Sequence, residues 1–478
     1  MALPVESKNE DTIAAICTAM TTAGIGIIRV SGPDSIAVSD RIFRNGKGEK
    51  ALSSYKANTI HFGHIVDPQS FETIDEVMVS VMKRPHSYTT EDTVEINSHG
   101  SLYLLNKILK LVLASGARMA EPGEFTKRAF LGGRIDLAEA EAVMDLISSQ
   151  NEFARRASIS QLSGKLSAKI QELRAAVLYE LAFIESALDD SENYDTTGYP
   201  EKLKIKIDGL IGEMDSMLAN ADNTRILREG VKTVITGSPN AGKSSLMNFL
   251  LGTDRAIVTE VAGTTRDTLE ETVRIGDVVL KLVDTAGIRQ TDDKVEKIGV
   301  DRAKAEVSNA DLILFLIDTS RMITDEDREI VKLLKTSHEE GQKVIVLLNK
   351  SDLQTITSPE DIYSMFADMG DNKPHYYVVS LKDGSGMDAV RYAIADMFRK
   401  GDISSNNEVY LTDRRHAEAL ANAEKSLRMV AGSIDSGMSE DFYSIDLMNC
   451  YSELGKITGD QVDDDLVEEI FSKFCLGK

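Results

Sequence analysis

The stretch GSPNAGKSS at 237–245 follows the apolar run VKTVIT and leads into LMNFLLG. Gly237 and Gly242 bracket four residues and are followed by Lys243 and Ser244, the phosphate-loop pattern in its strand–loop–helix setting. Glycines let backbone N–H groups wrap phosphates, and a helix N-terminus adds the positive end of its dipole. Lys243 reaches the β- and γ-phosphates of a nucleotide, and the Ser244 hydroxyl suits Mg²⁺. Further segments follow in the order a guanine-nucleotide hydrolase needs. Asp284-Thr285-Ala286-Gly287 ends an apolar run, with Asp284 expected near Mg²⁺ and the Gly287 amide near the γ-phosphate. Asn349-Lys350-Ser351-Asp352 ends another. A carboxylate at 352 accepts N1–H and the exocyclic N–H of guanine but would face the acceptor N1 of adenine, so guanine is selected. Ser380-Leu381-Lys382 stands where a backbone contact to the base is expected.

The expected GTP or GDP contacts are therefore Asn240, Ala241, Gly242, Lys243, Ser244 and Ser245, with Asp284 to Gly287, Asn349, Lys350, Asp352 and Ser380 to Lys382. The segment Thr259, Glu260, Val261, Ala262, Gly263, Thr264 and Thr265 adds backbone carbonyls and a hydroxyl. Ile288 follows DTAG where a water-orienting glutamine would otherwise be expected. Either hydrolysis is very slow, or another group positions the water and offsets the transition-state charge. Asn240 offers a carbonyl oxygen beside the β/γ bridge; its plainer reading is a loop-stabilising amide.

The elements that must hold these residues are legible in outline. At 478 residues, 42% hydrophobic and 27% charged, the chain has room for about three globular domains. No apolar run is long enough for a membrane span, and no secretory signal opens the chain, so a cytoplasmic protein is expected. Cys17, Cys450 and Cys475 lack metal-ligand or disulfide-framework spacing. A net charge of −23 disfavours a strong grip on nucleic acid, so any RNA would be held mainly by a more basic partner.

Residues 1–124 mix β-like runs such as IGIIRVS and VMVSVM with the helical LYLLNKILKLVLAS, an α+β domain. Residues 125–228 turn helical. In 171–190, Leu173, Val177, Leu181, Ile184 and Leu188 recur at helical spacing as a bundle face. From 229 to 400 short apolar strands alternate with helices, which predicts a mostly parallel sheet covered on both faces. Ile275-Gly276-Asp277-Val278 turns one antiparallel edge hairpin. Helical periodicity returns over 401–478. The fold class is thus multidomain α/β, with the nucleotide domain inserted in a discontinuous helical one.

GIGIIRVSG, SYTTEDTVEINSHG, RMAEPGEFTKRAFLGGRIDLAEAEAVMDLI, VAGTTRD, DTAGIR, KVEKIG and the terminal FCLGK, together with the phosphate loop, resemble the MnmE (TrmE) tRNA-modification GTPases over nearly the whole chain. The resemblance implies an N-terminal tetrahydrofolate-binding and dimerisation domain, a helical domain and an inserted Ras-like GTPase domain. It implies a homodimer working with a flavin (FAD) protein of the MnmG (GidA) type as a heterotetramer. Together they would install an aminomethyl or carboxymethylaminomethyl group at C5 of the wobble uridine, position 34, of certain tRNAs. The one-carbon donor would be 5-formyl- or 5,10-methylenetetrahydrofolate. Potassium, held by Asn240, Thr259, Val261 and Thr264, would bring the GTPase domains together, while Ser244 and Thr265 hold Mg²⁺.

Glu296 matches the family's catalytic glutamate, acting with Lys243 and Thr265; alone it reads as a helix-surface charge. Arg29, Glu95, Arg134 and Lys478 match folate positions, and alone Arg29 reads as an ordinary salt-bridge residue. A thiolate at Cys475 could attack an activated one-carbon unit or the uridine ring; a plain thiol is the alternative. The chain departs from the family at TAMTTAG (18–24), which lacks the usual Pro and Gly-rich loop, and at Arg134, where lysine is commoner. A regulatory GTPase switch in ribosome assembly would use the same nucleotide core, but would not require Arg29, Glu95 or FCLGK.

Overall fold

The computed structural model describes residues 11–50, 52–149, 151–190, 197–219, 221, 228, 230–253, 270–276, 278–284, 307–308, 310–336, 342–399, 409–460, 462, 464–474 and 477. They fall into two compact units. One comprises Met1–Ile147, Ile159–Gly212 and Glu418–Lys478, the other Ser148–Ser158 and Glu213–Ala417. Among the described residues no helix is long and apolar enough to cross a membrane.

The first unit is built on seven strands: β1 (Ile13–Ile16), β2 (Ala23–Ser31), β3 (Phe43–Asn45), β4 (Thr59–Val66), β5 (Thr73–Met82), β6 (Thr93–Gly100) and β7 (Arg118–Met119). Their order is β3-β4-β5-β6-β2-β1-β7. All pairs are antiparallel except β1 with β7. Alternation sets the faces. Val77, Val79 and Val81 of β5 turn inward under helices Ser35–Ile42 and Leu102–Ala114, where Ile42, Leu105, Ile108 and Val112 close the core. Met78 of β5 and Ile60 and Phe62 of β4 stay exposed on the other face.

The helical part of this unit centres on Lys165–Asp189, which packs along Glu440–Thr458. Leu173, Val177, Leu181 and Ile184 are buried as their spacing requires. Leu188, expected in the same stripe, is 47% exposed; in that last turn the buried place goes to Ala187. Glu180 is buried instead, accepting from the Tyr199 hydroxyl at 3.0 Å and paired with Lys206. Across the interface Leu447, Cys450 and Leu454 are buried. Burial there, with Glu453 adding to it, pushes the Cys450 thiol up to about 12, so it behaves as a packing residue rather than a nucleophile.

The second unit holds β8 (Val231–Gly237), β9 (Glu270–Ile275), β10 (Val278–Asp284), β11 (Leu312–Asp318), β12 (Lys343–Asn349) and β13 (His375–Val378) in the order β13-β12-β11-β8-β10-β9. β9 alone is antiparallel, and Ile275 pairs with Val278 across the anticipated tight turn. All seven residues of β11 are buried. Leu312, Leu314 and Leu316 face one core with Met387, Val390 and Ile394; Ile313, Phe315 and Ile317 face another with Val331, Leu334 and Phe366. A strand covered on both sides needs apolar residues at every position, and each buried Leu or Ile contributes about 1.5–3 kcal/mol.

Candidate functional site

The parallel strands of the second unit end along one edge, where open α/β sheets place their ligands. Register fixes the neighbours there: Gly237 lies beside Leu316, and Asp318 beside Asn349. From Gly237 the chain loops into helix Lys243–Thr253, whose N-terminus caps the loop. Gly242 has φ 112°, and a Cβ there would lie 2.4 Å from Nδ2 of Asn349. Neither the conformation nor the space admits a larger residue.

Asn349 is buried and uses both ends of its amide. Nδ2 donates to the Ala241 carbonyl at 2.8 Å, and Oδ1 accepts from the Leu381 amide at 3.2 Å. One side chain thus ties the phosphate loop to the 380–382 segment. Lys243 Nζ donates to the carbonyls of Gly237 at 2.7 Å and Ser238 at 2.9 Å, so its cation spans the loop. Ser244 and Ser245 are exposed in the first helical turn, and Asn240 is exposed at the loop tip with φ 63°.

Lys350, at φ 67°, turns the chain after β12. Asp352 then accepts from the Ser380 hydroxyl at 3.1 Å, with Lys382 Nζ 3.6 Å from its second oxygen. A carboxylate has about four acceptor positions, so this pair leaves room for a base edge. Asp318 and Arg321 also belong to this edge, and sequence reasoning missed both. Asp318 Oδ2 lies 2.6 Å from Lys350 Nζ. Burial works against its ionisation, but hydrogen bonds from Lys350 and Ser320 outweigh this and hold its carboxyl below the usual range. A carboxylate closing an otherwise apolar strand was the available signal.

Thr259, Glu260, Val261, Ala262, Gly263, Thr264, Thr265, Thr285, Ala286, Gly287, Ile288, Glu296, Cys475 and Lys478 lie outside the described residues. The backbone of Asp284 ends β10 beside Ile235 of β8.

In the first unit Arg29 and Glu95 are cross-strand partners of β2 and β6. Their charged groups meet at 2.8 Å as an ion pair. The Arg29 guanidinium carbon lies 5.3 Å from the Tyr88 ring centroid and 5.4 Å from that of Phe125, within cation–π range. Arg134 approaches the same Tyr88 ring at 4.9 Å and donates to the Tyr88 carbonyl at 2.9 Å. Tyr88, which the sequence did not single out, therefore brings the two arginines together. Arg29 Nη1 is buried with no hydrogen-bond partner among the described residues. The 18–24 loop closes through the Thr18 hydroxyl, which accepts from the Ile27 amide at 3.1 Å. Near the other end of the chain Gly477, at φ 92°, lies so close to β1 that a Cβ would be 2.4 Å from the Ile16 carbonyl.

Two family models match: the MnmE helical domain over residues 137–475 and the GTP-binding protein TrmE N-terminus over 12–134. A tRNA modification GTPase MnmE of Lachnoclostridium phytofermentans is 48% identical, with 98% of this chain and 99% of that protein covered. Proteins of the same name from Enterococcus faecalis and Geobacillus thermodenitrificans are each 44% identical over 98% of this chain, with 98% and 99% of their own lengths covered. Two family models that together span residues 12–475, and relatives alike over nearly the whole length, show the family: the chain belongs to the MnmE (TrmE) tRNA modification GTPases.

Proposed function

We propose that the chain hydrolyses GTP to drive modification of C5 of the wobble uridine of certain tRNAs, adding an aminomethyl or carboxymethylaminomethyl group. The observation that carries the nucleotide half is the pair of hydrogen bonds made by Asn349, donated to Ala241 and accepted from Leu381, which couples the phosphate loop to the base-reading segment. The tRNA half is supported by the name shared by the relatives. In this reading Lys243 orients the β- and γ-phosphates and Asp352 selects guanine. Ser244 and Thr265 would hold Mg²⁺, which offsets phosphate charge. Asn240, Thr259, Val261 and Thr264 would hold potassium, a second source of positive charge beside the β/γ bridge. Glu296 positions the attacking water through an intervening water.

Arg29, Glu95, Arg134 and Lys478 would hold the tetrahydrofolate donor, which supplies the one-carbon unit. The unbonded, buried Nη1 of Arg29 fits such a role, since a buried donor gains most from an acceptor brought by a ligand. Cys475 is a candidate thiol for the transfer chemistry. The proposal divides the chain into a folate and dimerisation domain at 1–124, helical parts at 125–228 and 401–478, and the GTPase domain at 229–400. It works in the cytoplasm as a homodimer joined to an MnmG-type flavin partner, through which tRNA is mainly held. Analysis of wobble uridine in tRNA from cells lacking this chain tests the whole. The expected result is loss of the modification, restored by the intact chain and not by Lys243→Ala; unaltered tRNA rejects the proposal.

A further inference from the structure

We propose that Arg321 is a positioning residue of the phosphate loop and acts on it through Ser238. This rests on the nucleotide reading above and adds a residue to it. β11 ends at Asp318, and helix Asp325–Thr336 begins after a short turn, its start held by Thr324 and Asp327. Arg321 projects from that turn to the phosphate loop, where Nη2 donates to Ser238 Oγ at 2.6 Å.

Two carboxylates flank the guanidinium, but at greater distance. Asp318 Oδ2 is 3.7 Å from Nε and Asp327 Oδ2 is 3.9 Å from Nη2. Nε is buried and has no hydrogen-bond partner among the described residues. An arginine serving only to pin its own turn would close on those carboxylates. This one leaves a buried donor unbonded, a costly arrangement, and spends its short contact on the loop. The carboxylates offset the charge of a cation that shares Ser238 with Lys243.

Ser238 is fully buried and is engaged at both of its oxygens. Oγ accepts from Arg321, and the backbone carbonyl accepts from Lys243 Nζ at 2.9 Å. The same Asp318 oxygen that faces Arg321 also receives Lys350 Nζ at 2.6 Å. Lys243, Ser238, Arg321, Asp318 and Lys350 thus form one connected run from the phosphate lysine to the base-reading turn. Arg321 holds the Ser238 peptide in the orientation that the loop needs, so its effect falls on phosphates rather than on the base.

The test is binding of fluorescent GDP, with GMP as competitor, to the intact chain and to Ser238→Ala, Arg321→Ala, Arg321→Lys and the Ser238→Ala/Arg321→Ala double variant. Each alanine change should weaken GDP about tenfold, the scale of one hydrogen bond to a charged group. The double variant should be no weaker than the worse single one, because both remove the same bond. GMP, which lacks the β-phosphate, should change less than about twofold, since it barely uses the loop. Lysine at 321 should recover only part of the loss, having no planar fork. Additive losses, or equal losses for GDP and GMP, overturn the role of Arg321. Should Arg321→Ala fail to fold, Ser238→Ala with unchanged GDP affinity overturns it as well. Failure of the intact chain to bind GDP would instead overturn the nucleotide reading itself.

Discussion

Arg29 and Glu95 face each other across β2 and β6 with their charged ends 2.8 Å apart, and the same guanidinium lies over the rings of Tyr88 and Phe125. An arginine held from three sides is preorganised, and its remaining buried donor has one direction in which to accept a ligand. Glu95→Gln keeps the shape and removes the charge. It should weaken calorimetric binding of 5-formyltetrahydrofolate to the intact chain by about tenfold or more, as expected where a charged hydrogen bond is lost. Unchanged affinity would leave the pair as sheet glue only.

Asp352 accepts from the Ser380 hydroxyl at 3.1 Å, and Lys382 Nζ lies 3.6 Å from its second oxygen. Asp352→Asn exchanges an acceptor for a donor at the position that should meet guanine N1–H. Preference should move from GTP to XTP in competition binding. A variant that still prefers GTP would show that guanine is selected elsewhere.

Asn240 is exposed at the tip of the phosphate loop, and Ile288 occupies the place of a glutamine. If a bound monovalent cation supplies the missing charge stabilisation, hydrolysis should be at least about tenfold faster in KCl than in NaCl at equal ionic strength. Asn240→Ala should remove the difference. Equal rates in both salts for the unaltered chain would reject the potassium site.

Glu124 is the acidic centre of an ion-pair cluster, with Arg118 Nη2 at 2.6 Å and Arg128 Nη2 at 2.9 Å. Burial alone would raise its pKa; hydrogen bonds from Arg118, the Glu121 amide and Arg128 outweigh that and hold it below the usual carboxylate range. A carboxylate depressed on folding stabilises fully above its unfolded value, and the contribution is lost as pH falls through the folded one. Amide hydrogen exchange in β1 and β7 should therefore accelerate as pH falls through and below the ordinary carboxylate range, beyond the intrinsic trend, and Glu124→Gln should reduce that extra dependence, leaving the part carried by Asp11 on the same two arginines. An unchanged profile in the variant would remove Glu124 from the account of acid stability.

What could be foreseen from the chain, and what could not, divides along physical lines. β11 and β12 are legible because strands buried on both faces stay apolar up to their ends at Asp318 and Asn349, once past the exposed Lys343 that opens β12. The phosphate loop was legible because its glycines answer a local demand, as Gly242 against Asn349 illustrates. Pairings between distant segments were not. Arg29 meets Glu95 across 66 residues, and Arg321 meets Ser238 across 83. Such meetings depend on strand register and crossover, for which no local pattern codes. Leu188 departs from its expected burial for a related reason: periodicity locates a stripe but not which residue of a turn its neighbours will cover, here Ala187, nor that Tyr199 and Lys206 will reach a buried Glu180.

The close seat of Gly477 on β1 carries a consequence for the order in which the protein is made. β1 leaves the ribosome long before Gly477 and must wait for it before this flank is covered. The unit reaching only to Ala417 has no such delay. On chains ended after Ala417 and released from the ribosome, protease should spare the nucleotide-binding half while still cutting beside Ile16, and protection of both at that length would mean the tail adds nothing to the first strand.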